Sequence, residues 1–210
     1  MPIDDYPVSL RGPETHRLAD MAGVQQDLST VVEAVDRLLS RPSRGFDDML
    51  ELEALQAYAL IRYGRCYGRC ARDAFDIPRA WIDELGPDLS QAHDDFLALR
   101  KRHIAHSVND WEMNIPRARV SIDRDTGAAS VHAVTVEHAN VLLLSSDSFQ
   151  LLRRLASALA DRLEQEIEAE KAALLEHAKK IPIEELKRRM REDQVEYAGV
   201  RKIGNPRGRP

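Results

Sequence analysis

Apolar residues recur at helical spacing in four long stretches of the chain, each with charged residues on the other positions. These stretches cover about residues 14–40, 46–75, 87–108 and 146–180. Proline and glycine lie between them and predict where each helix ends. Shorter helices are predicted at 78–85 and from Pro182 to about Glu192. The pattern is typical of long amphipathic helices that pack around a common core.

Between the third and fourth helices the spacing changes to alternation, at 119–123 and 130–136, around the turn Asp125-Thr126-Gly127. This pattern predicts a β-hairpin at about residues 117–137. The predicted fold class is therefore all-α, an antiparallel bundle of four to five long helices with one inserted hairpin. We expect one helical domain at 14–195, a flexible leader at 1–13 and a basic flexible tail at 196–210.

Composition narrows the classes of function. The 210 residues include 30 Lys and Arg against 35 Asp and Glu, a net charge of -5, which argues against coating nucleic acid by bulk charge. Any nucleic-acid contact must use a local patch. The sequence has neither an apolar run long enough to span a membrane nor a secretory signal, so we expect a cytoplasmic protein that does not contact membranes. Cys66 and Cys70 fit a reducing compartment.

The third helix carries the candidate chemistry. Helical spacing places Arg100 in the apolar stripe between Phe96 and Ile104, with His103 and His106 on its flank. Burying an unpaired guanidinium is costly, so Arg100 should meet a carboxylate, carbonyl groups, another subunit or a phosphate. One interpretation is a structural ion pair beside core histidines. The other is a phosphate-binding arginine beside a histidine that transfers protons, which are the parts of a metal-free ribonuclease.

The second predicted helix carries an arginine stripe: Arg62, Arg65, Arg69 and Arg72. The stripe either pairs with acids of a neighbouring helix or follows a phosphate backbone. Three tyrosines lie near it and either belong to the core or stack on unpaired bases: Tyr58, Tyr63 and Tyr67. Gly64 and Gly68, one turn apart, favour the close approach of another helix. A metal site built from His93, His103 and His106 lacks any defining ligand spacing.

The segment from Leu99 to Ser107 resembles the R-x4-6-H motif of the HEPN superfamily (higher eukaryotes and prokaryotes nucleotide-binding), since the spacing from Arg100 to His106 lies within that range. The resemblance extends over roughly residues 14–175. Many members are metal-independent ribonucleases of toxin, abortive-infection and other defence systems, in which arginine and histidine of two subunits form one cleft. The resemblance implies that Arg100 contacts the scissile phosphate and His106 transfers protons.

The implied function is RNA cleavage by attack of the ribose 2′-hydroxyl, with no cofactor and no metal, in a homodimer that an antitoxin or defence-system protein accompanies. Supporting substrate contacts are expected from Lys101, His103, Ser107, Arg62, Arg65 and Arg69. Active members often have Asn, Asp or His where this chain has Lys101. The alternative is therefore a non-catalytic module of the same fold that binds nucleotide, RNA or a protein partner.

Overall fold

A computed structural model of the chain describes residues 6–40, 48–67, 72–101, 112–140 and 143–197. This part of the chain is mostly helical and contains six α-helices and one two-stranded antiparallel sheet. A 3-10 turn at Pro13–Thr15 leads into the first helix. The elements are α1 (His16–Ser40), α2 (Met49–Arg65), α3 (Arg79–Asp83), α4 (Pro87–Leu99), β1 (Glu112–Ile122), β2 (Ala129–Asn140), α5 (Ser146–Ala178) and α6 (Ile183–Tyr197).

The core lies where α1 packs lengthwise against α5 and, along another side, against α2. Helix α4 packs on α5 and on α2. Each helix contributes the apolar positions of its stripe, such as Leu28 and Val31 of α1 and Leu155 and Leu159 of α5, all of which are buried. Burial of these stripes drives the helices together, because removing apolar surface from water is the main favourable contribution to folding. Among the described helices, none combines the length and apolarity that crossing a membrane requires.

The bounds of the first and last long helices agree with the sequence prediction, but the second helix ends earlier. Helix α2 ends at Arg65, a turn follows at Cys66 and Tyr67, and residues 72–73 are not helical. The predicted continuation to Phe75 is therefore wrong for the described part. Glycines weaken this end of the helix, and the backbone amide of Ala74 donates to the Asp20 carboxylate at 2.9 Å, which anchors the following segment on α1.

Helix α4 begins at Pro87, as predicted, directly after Gly86, whose φ of 99° is a conformation that favours glycine. The helix runs to Leu99 and widens into a π turn at Arg100 and Lys101. Such wide turns are rare in helices and are frequent at functional sites. The remainder of the predicted helix, residues 102–108, lies outside the described residues.

The hairpin is present and is longer than the alternating sequence pattern predicted. Backbone pairing extends from Ile122 and Ala129 beside the turn to Glu112 and Asn140. Within the turn the Asp123 carboxylate accepts from two backbone amides, and Gly127 has a φ of 69°. The two strands pack on each other and make little contact with the described helices.

Candidate functional site

Arg100 lies directly after α4, with its side chain across the backbone of α2 at Gly64. A Cβ atom at position 64 would lie 3.0 Å from both Cγ and Cδ of Arg100 and 3.2 Å from Nε. Glycine therefore leaves the space through which the arginine passes. The neighbour of Gly64 is thus a side chain, and the predicted close approach of another helix along Gly64 and Gly68 stays a prediction, since Gly68 lies outside the described residues.

Arg100 is exposed in the single chain, so the described helices do not cover this position of the apolar stripe; its contact with another subunit or with a phosphate stays a prediction. Phe96, one turn earlier, is buried, whereas the Arg100 stem lies on the α2 backbone at the edge of the core and leaves the residue open to solvent. Within the described part of the chain, Arg100 forms no ion pair or hydrogen bond. The described residues thus supply no carboxylate for this cation, and Lys101 beside it is also exposed.

Beside Gly64 lies a buried polar cluster that joins α2 to α4. The hydroxyl of Tyr63 is 2.8 Å from Nδ1 of His93, and the hydroxyl of Tyr67 donates to that of Tyr63 at 3.4 Å. The ring of Tyr67 meets the His93 ring edge-on at 4.5 Å. Tyr63 and His93 are buried, so Tyr63 belongs to the core and is not available to stack on a base.

The cluster favours uncharged groups. Burial lowers the pKa of His93 and raises the pKa of Tyr63 and of Tyr67. The hydrogen bond between the Tyr63 hydroxyl and Nδ1 of His93 has either group as donor, according to the tautomer of the imidazole. In both cases His93 connects α4 to α2 as a buried polar group whose lowered pKa favours the neutral form.

On its other side α2 meets α1 through a single buried carboxylate. Asp27 of α1 is only 1% exposed. Nη1 of Arg62 donates to its Oδ1 at 2.6 Å, and Nη1 of Arg72 donates to its Oδ2 at 2.8 Å. Nε of Arg65 lies 3.6 Å from the same Oδ2. One carboxylate thus gathers three arginines from α2 and from the segment after it, which we call the Asp27 cluster.

The Asp27 cluster carries an excess of positive charge. Three guanidinium groups against one carboxylate leave two positive charges uncompensated within the cluster. Arg65 is the most exposed of the three, with 46% of its side chain accessible. The Arg72 guanidinium lies against Gly23, where a Cβ atom would come within 2.9 Å of Nε. Arg62 also donates to the hydroxyl of Tyr58 at 2.8 Å.

The arginine stripe was predicted either to pair with acids of a neighbouring helix or to follow a phosphate backbone. In the described residues it pairs with an acid, since Arg62, Arg65 and Arg72 face Asp27 of α1. Arg72 reaches Asp27 from outside α2, because the helix ends before it. Four of the predicted site residues lie outside the described residues: His103, His106, Ser107 and Arg69. The expected pairing of Arg100 with His106 stays a prediction.

Asp27 and the Tyr63–His93 contact were absent from the predicted site. The sequence does contain a pattern that singles out Asp27. It is an acid within the apolar stripe of α1, where its neighbours on the helix surface are Val24, Leu28 and Val31. An acid at such a position requires a basic partner. The partners of Asp27, however, are 35 and 45 residues later in the chain, and spacing within one helix does not reveal them.

Among the described residues, no group of three or more His, Cys, Asp and Glu side chains is placed to hold a metal ion. The chain matches no protein-family model, no curated protein and no solved structure.

Proposed function

We propose that the protein is a metal-independent endoribonuclease of a prokaryotic defence or toxin system, folded as the antiparallel helical bundle that its HEPN resemblance implies. The observation that supports this proposal is Arg100. It is exposed, its stem lies against Gly64, and it has no carboxylate partner among the described residues. A cation in this setting suits a phosphodiester, whose oxygens accept the hydrogen bonds of a guanidinium.

The Asp27 cluster supplies further positive charge on another side of α2. Arg65 directly follows Gly64, so it projects about 100° around the helix from the side that Arg100 crosses. An RNA strand that follows the surface around this end of α2 would be bound by Arg100 and by the exposed part of the cluster. Such a focused cationic region reconciles RNA binding with the net charge of -5.

In the proposed reaction, His106 takes the proton of a ribose 2′-hydroxyl, and the 2′-oxygen attacks the adjacent phosphorus. The bond from phosphorus to the 5′-oxygen breaks, and that oxygen receives a proton as it leaves. The products are a 2′,3′-cyclic phosphate and a 5′-hydroxyl end. Arg100 stabilises the negative charge that develops on the non-bridging oxygens. His93 takes no part in this proposal, because it is buried and bonded to Tyr63.

The test is to incubate the purified protein with total RNA, with and without EDTA, and to map the fragment ends. We expect Arg100→Ala and His106→Ala each to lower cleavage by about 100-fold or more, with EDTA having no effect. Arg153→Ala and His177→Ala are matched controls, since they remove the same side chains from exposed positions on α5. Unchanged cleavage in the Arg100 or His106 variant, or loss of cleavage in EDTA, contradicts the proposal.

The second candidate is a non-catalytic module that binds nucleotide, RNA or a protein partner through the same face. Two observations favour it: Asp27 already engages Arg62 and Arg65, and Lys101 follows Arg100. This candidate predicts RNA affinity with no new fragments on a denaturing gel. Arg100→Ala should then weaken binding and reduce the salt dependence of the affinity by about one phosphate contact.

A further inference from the structure

Tyr58 of α2 carries an aromatic ring that is open to solvent and held in place by hydrogen bonding. Nη2 of Arg62 donates to its hydroxyl at 2.8 Å, and Cζ of Arg62 lies 4.9 Å from the centre of the ring. Nη1 of the same guanidinium donates to the buried carboxylate of Asp27 at 2.6 Å. An arginine anchored on the core therefore fixes the ring, while 41% of Tyr58 stays exposed.

The Tyr58 ring differs from the other rings that an arginine covers in the described part of the chain. Arg17 lies over Phe75, and Arg162 lies over Trp81. Both of these rings belong to the core and are at most 8% exposed, so the arginine completes their cover. The Tyr58 ring is left open. An aromatic ring whose polar end is bonded and whose body is accessible provides a surface on which a planar ligand stacks.

The part of α2 around Tyr58 is apolar and carries no acid, since no acidic residue occurs between Ala54 and Arg65. Side chains on a helix lean toward its N-terminus, so Arg62 covers Tyr58 from the following turn. The preceding turn carries Ala54, whose small exposed side chain leaves the other side of the ring accessible. Ile61, one turn after Tyr58, is also exposed. We call Ala54, Tyr58 and Ile61 the Tyr58 surface.

A cation lies at the end of the Tyr58 surface. Arg65 begins two turns after Tyr58, ~10.5 Å along the helix axis, and its side chain is 46% exposed. It belongs to the Asp27 cluster, in which three guanidinium groups face one carboxylate. An open aromatic ring, an apolar neighbour and an excess of positive charge on one helix face are complementary to a nucleotide, which has a planar base and an anionic phosphate.

We propose that the Tyr58 surface binds an unpaired base of RNA by stacking, while Arg65 binds the phosphate backbone beside it. Bases within a duplex already stack on one another, so a side chain stacks on bases that are unpaired. This binding mode rests on the proposed function for the identity of the polymer, and it restricts the substrate to single-stranded regions of RNA. Tyr58 thereby differs from Tyr63, which is buried in the core.

The experiment measures the binding of two probes that the proposed reaction cannot cleave. One is a fluorescently labelled single strand of about eight 2′-O-methyl adenosines, which lacks the attacking 2′-hydroxyl. The other is an abasic strand with the same number of phosphates. Fluorescence anisotropy gives the Kd of each probe for the wild type, Tyr58→Ala, Tyr58→Phe and Tyr6→Ala. Tyr6→Ala is the matched control, since it removes the same side chain from an exposed position outside the helices.

We expect the wild type to bind the adenosine strand more tightly than the abasic strand. Tyr58→Ala should weaken binding of the adenosine strand by about 5-fold or more, which is the effect of losing one stacked base, and should leave binding of the abasic strand unchanged. Tyr58→Phe keeps the ring and should retain most of the affinity, and Tyr6→Ala should bind as the wild type does. Circular dichroism checks that each variant retains its helical content.

Equal weakening of both probes by Tyr58→Ala overturns the proposal, because the tyrosine then acts only through Arg62 and the phosphate contacts. A wild type that binds both probes equally, or neither, also overturns it and leaves the surface to a protein partner, since tyrosine and arginine are enriched in protein interfaces too. RNA cleavage without any effect of Tyr58→Ala on binding would contradict this site alone. The expected binding without RNA cleavage would contradict the ribonuclease alone.

Discussion

Replacing Asp27 by asparagine tests the structural basis of the arginine cluster. The substitution conserves shape but removes the charge that faces Arg62 and Arg72, and it places an amide NH2 group against guanidinium donors. Because Asp27 is almost completely buried, water does not replace the lost charge. We therefore expect Asp27→Asn to reduce the free energy of unfolding substantially while the helical content is maintained.

The magnitude follows from the two short hydrogen bonds. A hydrogen bond to a charged group contributes ~1.5–3 kcal/mol, and asparagine retains one neutral acceptor. Arg62 and Arg72 are each about one quarter exposed or less, so their guanidinium groups recover part of the loss by hydration. We expect a loss of about 3 kcal/mol, within the range for breaking a buried pair. For a chain of this size that loss lowers the thermal midpoint by roughly 6–12 °C.

Urea unfolding followed by circular dichroism measures this loss. Asp36→Asn is the matched control: it is the same substitution on the same helix, at an exposed pair with Arg153 on α5. We expect it to change stability by less than about 1 kcal/mol. Raising the salt concentration should diminish the Asp36 effect and leave most of the Asp27 effect. If both variants lose the same small amount, Asp27 does not organise the cluster.

Two further predictions concern the contacts of α2 with α4. Gly64→Ala should keep the free energy of unfolding within about 1 kcal/mol of the wild-type value, because alanine favours helix. It should nevertheless reduce RNA cleavage, because the new Cβ atom displaces the Arg100 side chain. Full cleavage activity in this variant would contradict the proposed role of Gly64. Burial lowers the pKa of His93 in the folded state, so its contribution to stability is complete above the unfolded pKa of about 6.5 and is lost as pH falls. His93→Asn retains both a hydrogen-bond donor and an acceptor beside Tyr63 but has no group that titrates in this range. This variant should therefore lose less stability than the wild type between about pH 7.5 and about pH 5 in urea unfolding. Equal losses of stability in the two proteins would refute this prediction.

The helical spacing of apolar residues alone was sufficient to predict α1 and α5. Both helices bury a regular apolar stripe, and packing reinforces the local preference along their whole length. The hairpin turn could also be predicted, since Asp123 and Gly127 stabilise it by local hydrogen bonds and backbone conformation. The length of the strands could not be predicted, because pairing continues over residues with little alternation of polar and apolar side chains, such as Asn114 and Pro116.

Features that depend on distant contacts were not predictable in the same way. The end of α2 depends on where Asp20 and Asp27 of α1 anchor the segment that contains Ala74 and Arg72. The exposure of Arg100 depends on the crossing of α4 over α2 at Gly64, which helical spacing within α4 cannot reveal. Spacing assigns a residue to a face of its helix, but the position of the neighbouring helix decides whether that face is covered.

The pairing of β1 and β2 shows where this hairpin can change in length. Arg119 is paired with Ala133 and Val120 with Val131, so His132 is an extra residue in β2. Removing His132 would restore a regular ladder, and Val131 would then lie two positions before Val134, so both would stay on the same side of the ribbon. A single insertion or deletion at another paired position of β2 would instead turn every residue beyond it to the opposite side. Loss of one residue is therefore better tolerated at position 132 than at the regularly paired positions on either side of it.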